Sequence, residues 1–395
     1  MGESISLIGR QLTLVAAPLQ IYQITNSTLA VGLLGLVQLP VLIIGSFLGG
    51  SLADSYDRRI LLLYANVALA LTSAGLAFNA SLERPVIWLV YALTSASAFL
   101  SGIDYPARTS SIPRLVAVDL LPATYAIRVL VFQTANAIGP AIAGILIANV
   151  SLSAAYWADA ATYVAAFGFV TLLKPLPPHT AGTKAGWSSI REGLRFVRKQ
   201  PAVQGVFLID ITAMVFGMPR ALFPEMGVTV FGGDATTVGY LFAAPGVGSM
   251  VAGIISGWVG RVRRAGLATM VGVMVWGLGI TLFGLTTTFA LAMVALVAAG
   301  VGDAISAVFR STILQTTTPD EFRGRVSSVQ NAVVAGGPRI GDVRAGVMAS
   351  AFGAQVSAWT GGALSIAGAL VIGRLLPGFS NWVRPDSSQV SSPPD

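Results

Sequence analysis

The apolar residues of this chain gather into long runs separated by short polar connectors, and that feature restricts the fold more than any other. A bilayer core about 30 Å thick is crossed by roughly 20 residues at 1.5 Å rise per helical residue. Runs of that length occupy 4–23, 29–53, 60–80, 85–108, 123–149, 154–174, 201–227, 236–259, 266–286, 289–313, 325–350 and 355–376. Only 10% of the residues are charged, against about 25% in soluble domains. The reading is an all-α polytopic membrane protein with twelve transmembrane helices.

Hydrophobicity begins almost at Met1, without the basic region and cleavage site of a signal peptide, and reads as the first membrane helix. So short a leader is what a clipped chain would show. The connectors are short except for 175–200, "PLPPHTAGTKAGWSSIREGLRFVRKQ", and the Ser/Pro-rich end, 377–395, is expected to be disordered. In the long connector Trp187, Ile190, Leu194 and Val197 recur at helical spacing opposite Arg191, Arg195 and Arg198, the pattern of a basic amphipathic helix on the inner leaflet.

The net charge of +7 is explained by topology. Nineteen of the 24 Lys and Arg residues fall in alternate connectors and adjoining helix ends, one (Arg84) falls on the other side, and Arg10, Arg220, Arg339 and Arg344 lie within spans. This asymmetry puts both termini in the cytoplasm of a bacterial cell, with the chain in the inner membrane. Cations spread over alternate loops form no single face for nucleic acid, so no nucleic-acid partner is expected.

The two halves share a grammar. Pro18 matches Pro219, Gly45-Ser46 matches Gly248-Ser249, Arg108 matches Arg310 and Gly139-Pro140 matches Gly337-Pro338, at shifts of 201, 203, 202 and 198 residues. The pattern predicts two pseudo-symmetric six-helix bundles, 1–174 and 201–376, joined by a cytoplasmic linker at 175–200 and followed by the tail, with a substrate site between them near mid-bilayer.

"GSFLGGSLADSYDRRILLL" (45–63) resembles the signature between the second and third helices of the major facilitator superfamily, and "DYPARTSSIPRLV", "TPDEFRGRVSSV" and "GDVRAG" resemble its bacterial exporter branch, which includes enterobactin exporters and macrolide efflux pumps. A carboxylate at the membrane face is costly unless paired. Asp54 is therefore expected to meet Arg58 or Arg108, and the N-terminus of the eleventh span near Arg325, as a latch between halves when the inner face closes; Gly50, beside Gly49, allows a close helix approach. The second-half counterpart has Gly257 in place of the acid. Gly139 and Pro140 in "TANAIGPAIAG" look like the kink motif of superfamily antiporters, which the resemblance ties to export.

Ionisable groups at membrane depth point to function. Asp210 and Asp303 lie roughly 14 Å and 21 Å into their spans, and are the candidates for proton coupling, since withdrawal from water favours a protonated carboxyl. Arg220 is placed to attract an anionic substrate or neutralise Glu225. Arg339 and Asp342 are expected to form an i,i+3 ion pair, and Asp159 to be structural. Arg10 stands where the branch often carries an acid, so no proton role is carried over to it. Gln11, Gln20, Gln38, Gln133 and Asn136, with Phe216, Phe223, Trp276 and Phe309, are the cavity candidates.

No cysteine is present, and the single histidine, His179, lies in the connector, so histidine- or thiolate-based catalysis and metal binding have no support. No Gly-rich nucleotide loop with a lysine occurs. The chain reads as a monomeric, cofactor-free secondary transporter, a proton-coupled exporter of a siderophore or amphiphilic drug-like molecule. Solute uptake and a non-transporting sensor are the alternatives.

Overall fold

The computed structural model describes residues 2–177 and 187–384, with the backbone alone at 187–190. His179 and Lys184 lie outside the described residues. The first bundle contains α1 (Gly2–Thr25), α2 (Thr28–Ser55), α3 (Arg58–Ala80), α4 (Ile87–Leu115), α5 (Leu121–Asn149) and α6 (Leu152–Thr171). After the connector helix α7 (Trp187–Lys199), the second contains α8 (Pro201–Gly217), the short α9 (Phe223–Glu225), α10 (Ala235–Ile254), α11 (Ala265–Leu285), α12 (Phe289–Thr317), α13 (Asp320–Phe352) and α14 (Ala354–Leu375), and α15 (Pro377–Ser380) is the last helix among the described residues. Among the described residues nine of these segments are long and apolar enough to cross a membrane. The other three expected spans are the long helices α1, α6 and α13.

The turns follow local chemistry. Asn26 takes a positive φ of 48° between α1 and α2, a conformation asparagine tolerates, and Ser27 then caps α2 by accepting from the Ala30 amide. Asp57 caps α3, accepting from the Arg59 amide at 2.8 Å and from the Leu176 amide at 3.1 Å. Small residues let helices touch through their backbones, as membrane interfaces require. Gly45 of α2 sits against Phe99 of α4, and Gly248 of α10 sits against the Val297–Val301 stretch of α12, so one contact recurs in both bundles. The Gly-Pro pairs also recur: Gly139 abuts Gln11 of α1, and Gly337 abuts Met214 of α8.

Two expectations change. The seventh span is not one helix: α8 stops at Gly217, Met218 is extended (φ −76°, ψ 119°), and a 3-10 turn, α9 and a π-type turn carry the chain to Val230. Proline disfavours helical geometry in the residue before it and removes a donor; Pro219 does both here, while Pro224 only removes a donor and Phe223 before it stays helical. The start of the expected tail is ordered as well. Phe379 is fully buried against Gly205 and Gly266, and the Arg384 amide donates to the Arg263 carbonyl at 2.9 Å.

The bundles meet chiefly through α2 with α13 and α5 with α10. Both contacts are made at the end where α2 begins and α5 finishes. There Gly32 faces the Asp342 carbonyl, and a Cβ added at Gly144 would stand 2.6 Å from the Ala235 carbonyl. At the other end, which carries Asp54 and the arginine-rich connectors, Gly50, Gly257 and Gly324 have nothing within 4 Å of an added Cβ. The molecule is closed at one end and open between the bundles at its basic end.

Candidate functional site

Asp303, Ser306 and Arg310 follow at helical spacing on one face of α12. The Arg310 guanidinium lies 3.2 Å from Asp210 of α8 and 3.5 Å from Asp303, and its Nη1 donates to the Ser306 hydroxyl at 3.0 Å. The two candidate acids therefore converge on one arginine that sequence reasoning noted only as a repeat position. Asp210 is buried, whereas the Asp303 side chain keeps 34% of its exposure. One cation shared by two carboxylates leaves one surplus negative charge in a desolvated place.

The first bundle holds a cluster of different sign balance. Arg108 binds Asp104 through two hydrogen bonds, 3.0 and 2.8 Å. Arg10 lies beside Asp104, Asp159 and Tyr163. Asp159 accepts from Thr13 at 2.6 Å and Ser73 at 2.8 Å, binding α6 to α1 and α3. Two arginines here balance two acids. By the internal repeat Arg108 stands for Arg310 and Asp104 for Ser306, both at a shift of 202.

At the closed end Thr28 of α2 donates to the Glu225 carboxylate, and Tyr22 of α1 lies near Glu225 and Thr229. Arg339 and Asp342, expected to pair, take other partners: Arg339 donates to the Ala335 carbonyl at 2.6 Å, while Asp342 accepts from the Ala221 amide at 3.1 Å. Arg344 donates to the Phe216 and Ser357 carbonyls at 3.0 and 3.1 Å. The reason is the broken seventh span. Its two halves expose unbonded carbonyls at the end of α8 and unbonded amides at the start of the next turn, and α13 offers a cation to the first and an anion to the second. Arg220 is exposed near Asp342 and Arg339.

At the open end Asp54 lies within the electrostatic reach of Arg58, but the expected latch residues take other hydrogen-bond and ion-pair partners. Asp54 is exposed; Arg58 is buried and donates to the Ala53 carbonyl at 3.2 Å; Arg108 is held by Asp104; Arg325 pairs with Glu192 of α7 at 2.9 Å. Asp57 and Arg59 instead tie the turn between α2 and α3 to the end of the bundle's last helix, at Leu176 and Thr171.

Of the cavity candidates, Gln20 is buried within the first bundle and accepts from Tyr156 at 2.8 Å. Phe309, 2% exposed, packs near Trp258. Neither reaches a cavity, because membrane helices bury aromatic and amide groups against each other as readily as they present them. Phe223 and Trp276 are buried as well. Gln38, Gln133 and Asn136 are half-buried and Phe216 is exposed. Gln11 donates to Asn136 at 2.5 Å, joining α1 to α5. Pro140, within a continuous α5, has no amide to bond the Asn136 carbonyl, and Gly246 of α10 closes on that freed oxygen. The Gly-Pro pair thus serves the contact between bundles.

A family profile of the Major Facilitator Superfamily matches residues 1–341. The chain is 30% identical over 377 residues to the enterobactin exporter EntS of Escherichia coli O1:K1, covering 95% of this chain and 89% of that protein. Among solved structures it resembles a POT family transporter in complex with 5-aminolevulinic acid (TM-score 0.73, 12% identity, 96% of each chain). It also resembles a D-xylose–proton symporter (TM-score 0.71, 14% identity, 96% of this chain and 98% of that one). A third resemblance is to a bacterial homologue of the lysosomal transporter Spinster in an inward-facing, unoccupied conformation (TM-score 0.70, 15% identity, 95% and 94%). Twelve helices in two bundles, one closed contact between them and a profile covering most of the sequence lead to one conclusion: the chain belongs to the Major Facilitator Superfamily and is a transporter.

Proposed function

We propose that this transporter exports a siderophore or another amphiphilic small molecule in exchange for protons, by alternating access. The observation that carries the coupling is the convergence of Asp210 and Asp303 on Arg310. With one cation for two acids, a single proton makes the group neutral. Losing that proton at the basic end and gaining it at the other would change how tightly α8 is held to α12. Likeness to an enterobactin exporter supports the substrate class and the direction.

The basic end faces the cytoplasm of the inner membrane in this reading, with both termini there and a monomer as the working unit. The two bundles are 1–174 and 201–376, linked by 175–200. Closing the basic end brings Asp54 to the N-terminal turn of α13, where Arg58, Arg108 and Arg325 stand near, and Gly50 permits the approach. Gln38, Gln133, Asn136, Phe216 and Arg220 are the side chains left to meet substrate.

The test is proton-driven efflux from vesicles, with a catecholate siderophore and a macrolide side by side. Asp210→Asn and Asp303→Asn are expected to lose proton-driven flux. Wild-type pumping by both variants sinks the coupling, and net accumulation in the uptake direction sinks the export reading.

A further inference from the structure

The connector helix α7 is not a passive strap. A single residue, Gln200, separates it from α8, which enters the membrane, so α7 is held at the level of the lipid headgroups. One face is docked: Gly193 sits against the Arg325 backbone, Val197 is buried, Phe196 stacks on Phe322 with ring centroids 4.7 Å apart, and Glu192 pairs with Arg325. Arg325 also lies over the Phe322 ring at 5.1 Å. The other face carries Arg191, Arg195, Arg198 and Lys199, and Leu194, expected opposite the arginines, is exposed among them instead while Val197 docks. Helical spacing puts these four cations on one side, with an apolar residue among them. That composition fits the boundary between anionic headgroups and acyl chains.

The docked partner gives the face a consequence. α13 is one of the helices that meet between the bundles, and its basic end must move toward α2 for the open end to close. Among the described residues α7 packs chiefly on that end of α13 and on α8. We propose that α7 reads membrane charge: anionic phospholipids bind its cationic face and, through Glu192–Arg325 and the Phe196–Phe322 stack, hold α13 in the position that leaves the basic end open. The proposal stands without the choice of substrate or coupling ion.

The chain has no cysteine, so a fluorophore at Leu194→Cys reports on α7 alone. In vesicles of phosphatidylcholine with added phosphatidylglycerol, a quencher carried on the lipid tails is expected to quench this label at least about twofold more than in phosphatidylcholine alone, and less at high salt. Joint replacement of Arg191, Arg195, Arg198 and Lys199 by Gln should remove that difference. Equal quenching in both lipids, or no response to the four replacements, overturns the binding. For the gate, spin labels at Ser51→Cys and Ser327→Cys measure the distance between the basic ends of α2 and α13. Anionic lipid should favour the longer distance in wild type, and Glu192→Gln should abolish that dependence while leaving the Leu194 quenching intact. A Glu192→Gln protein whose distances follow lipid charge as wild type does overturns the coupling, and soluble glycerol phosphate reproducing the lipid effect overturns the bilayer as its source.

Discussion

Arg310 is the residue on which the buried chemistry of the second bundle turns. Removing one partner of a buried ion pair leaves the other charge uncompensated, at about 3–5 kcal/mol. Arg310→Gln is expected to destabilise the protein by that order, read as a lower midpoint of thermal unfolding in detergent, with Arg310→Lys intermediate. Asp210→Asn should keep stability near wild type, because Asp303 still balances Arg310, while proton-driven flux falls at least about tenfold and substrate exchange without a gradient persists. Equal loss of both modes would make Asp210 a folding or substrate residue instead. The sequence exposed both acids because charge is conspicuous in apolar runs. Their shared partner was hidden: Arg310 is one hundred residues from Asp210, and only packing of α8 on α12 brings them to 3.2 Å.

At the scale of the helix, the broken seventh span is repaired from outside. In lipid an unbonded carbonyl or amide finds no water, so the break at Met218–Pro219 persists only because α13 supplies Arg344 to one stump and Asp342 to the other. Each of Asp342→Asn and Arg344→Gln is expected to cost about 1–3 kcal/mol, and to speed amide hydrogen exchange over residues 220–230 more than elsewhere. Arg339→Gln, whose guanidinium only returns to its own helix, should do neither. Uniform exchange across the second bundle in the first two variants would refute the splint. Pro219 and Pro224 announced irregularity, and the charges on α13 were visible too. Their spacing suggested a local pair because i,i+3 geometry is always available within a helix, whereas the better partners lie some 120 residues away in sequence.

For the molecule as a whole, closure at one end rests on backbone contact between glycines of opposite bundles. Leucine at Gly144 or Gly239 cannot enter where an added Cβ already stands 2.6 Å from a carbonyl oxygen. Either change is expected to open the closed end and shift the population toward the basic-end-closed form, measured as a shorter Ser51–Ser327 spin-label distance. Asp54→Asn should move the same distance the other way, by weakening the anion that meets the start of α13 on closure. An unchanged distribution in both would separate these contacts from the gating equilibrium. Reagents confined to one compartment test orientation: single cysteines at Ser55 and Glu83 should label from opposite sides.

Sequence alone determined the number of membrane helices and the two-fold internal repeat, because bilayer thickness and small-residue interfaces act on local composition, while the superfamily is implied by the resemblance of motifs such as that at 45–63. Composition predicts disorder at 377–384 and one continuous helix in the seventh span; Phe379 instead packs against Gly205 and Gly266, and Pro219 breaks the span, a local signal that the apolar run outweighed. Only the tertiary structure decided which acids share an arginine, which charges mend a helix and which end stands open. Those are outcomes of helices far apart in sequence packing together, and no spacing along the chain records them.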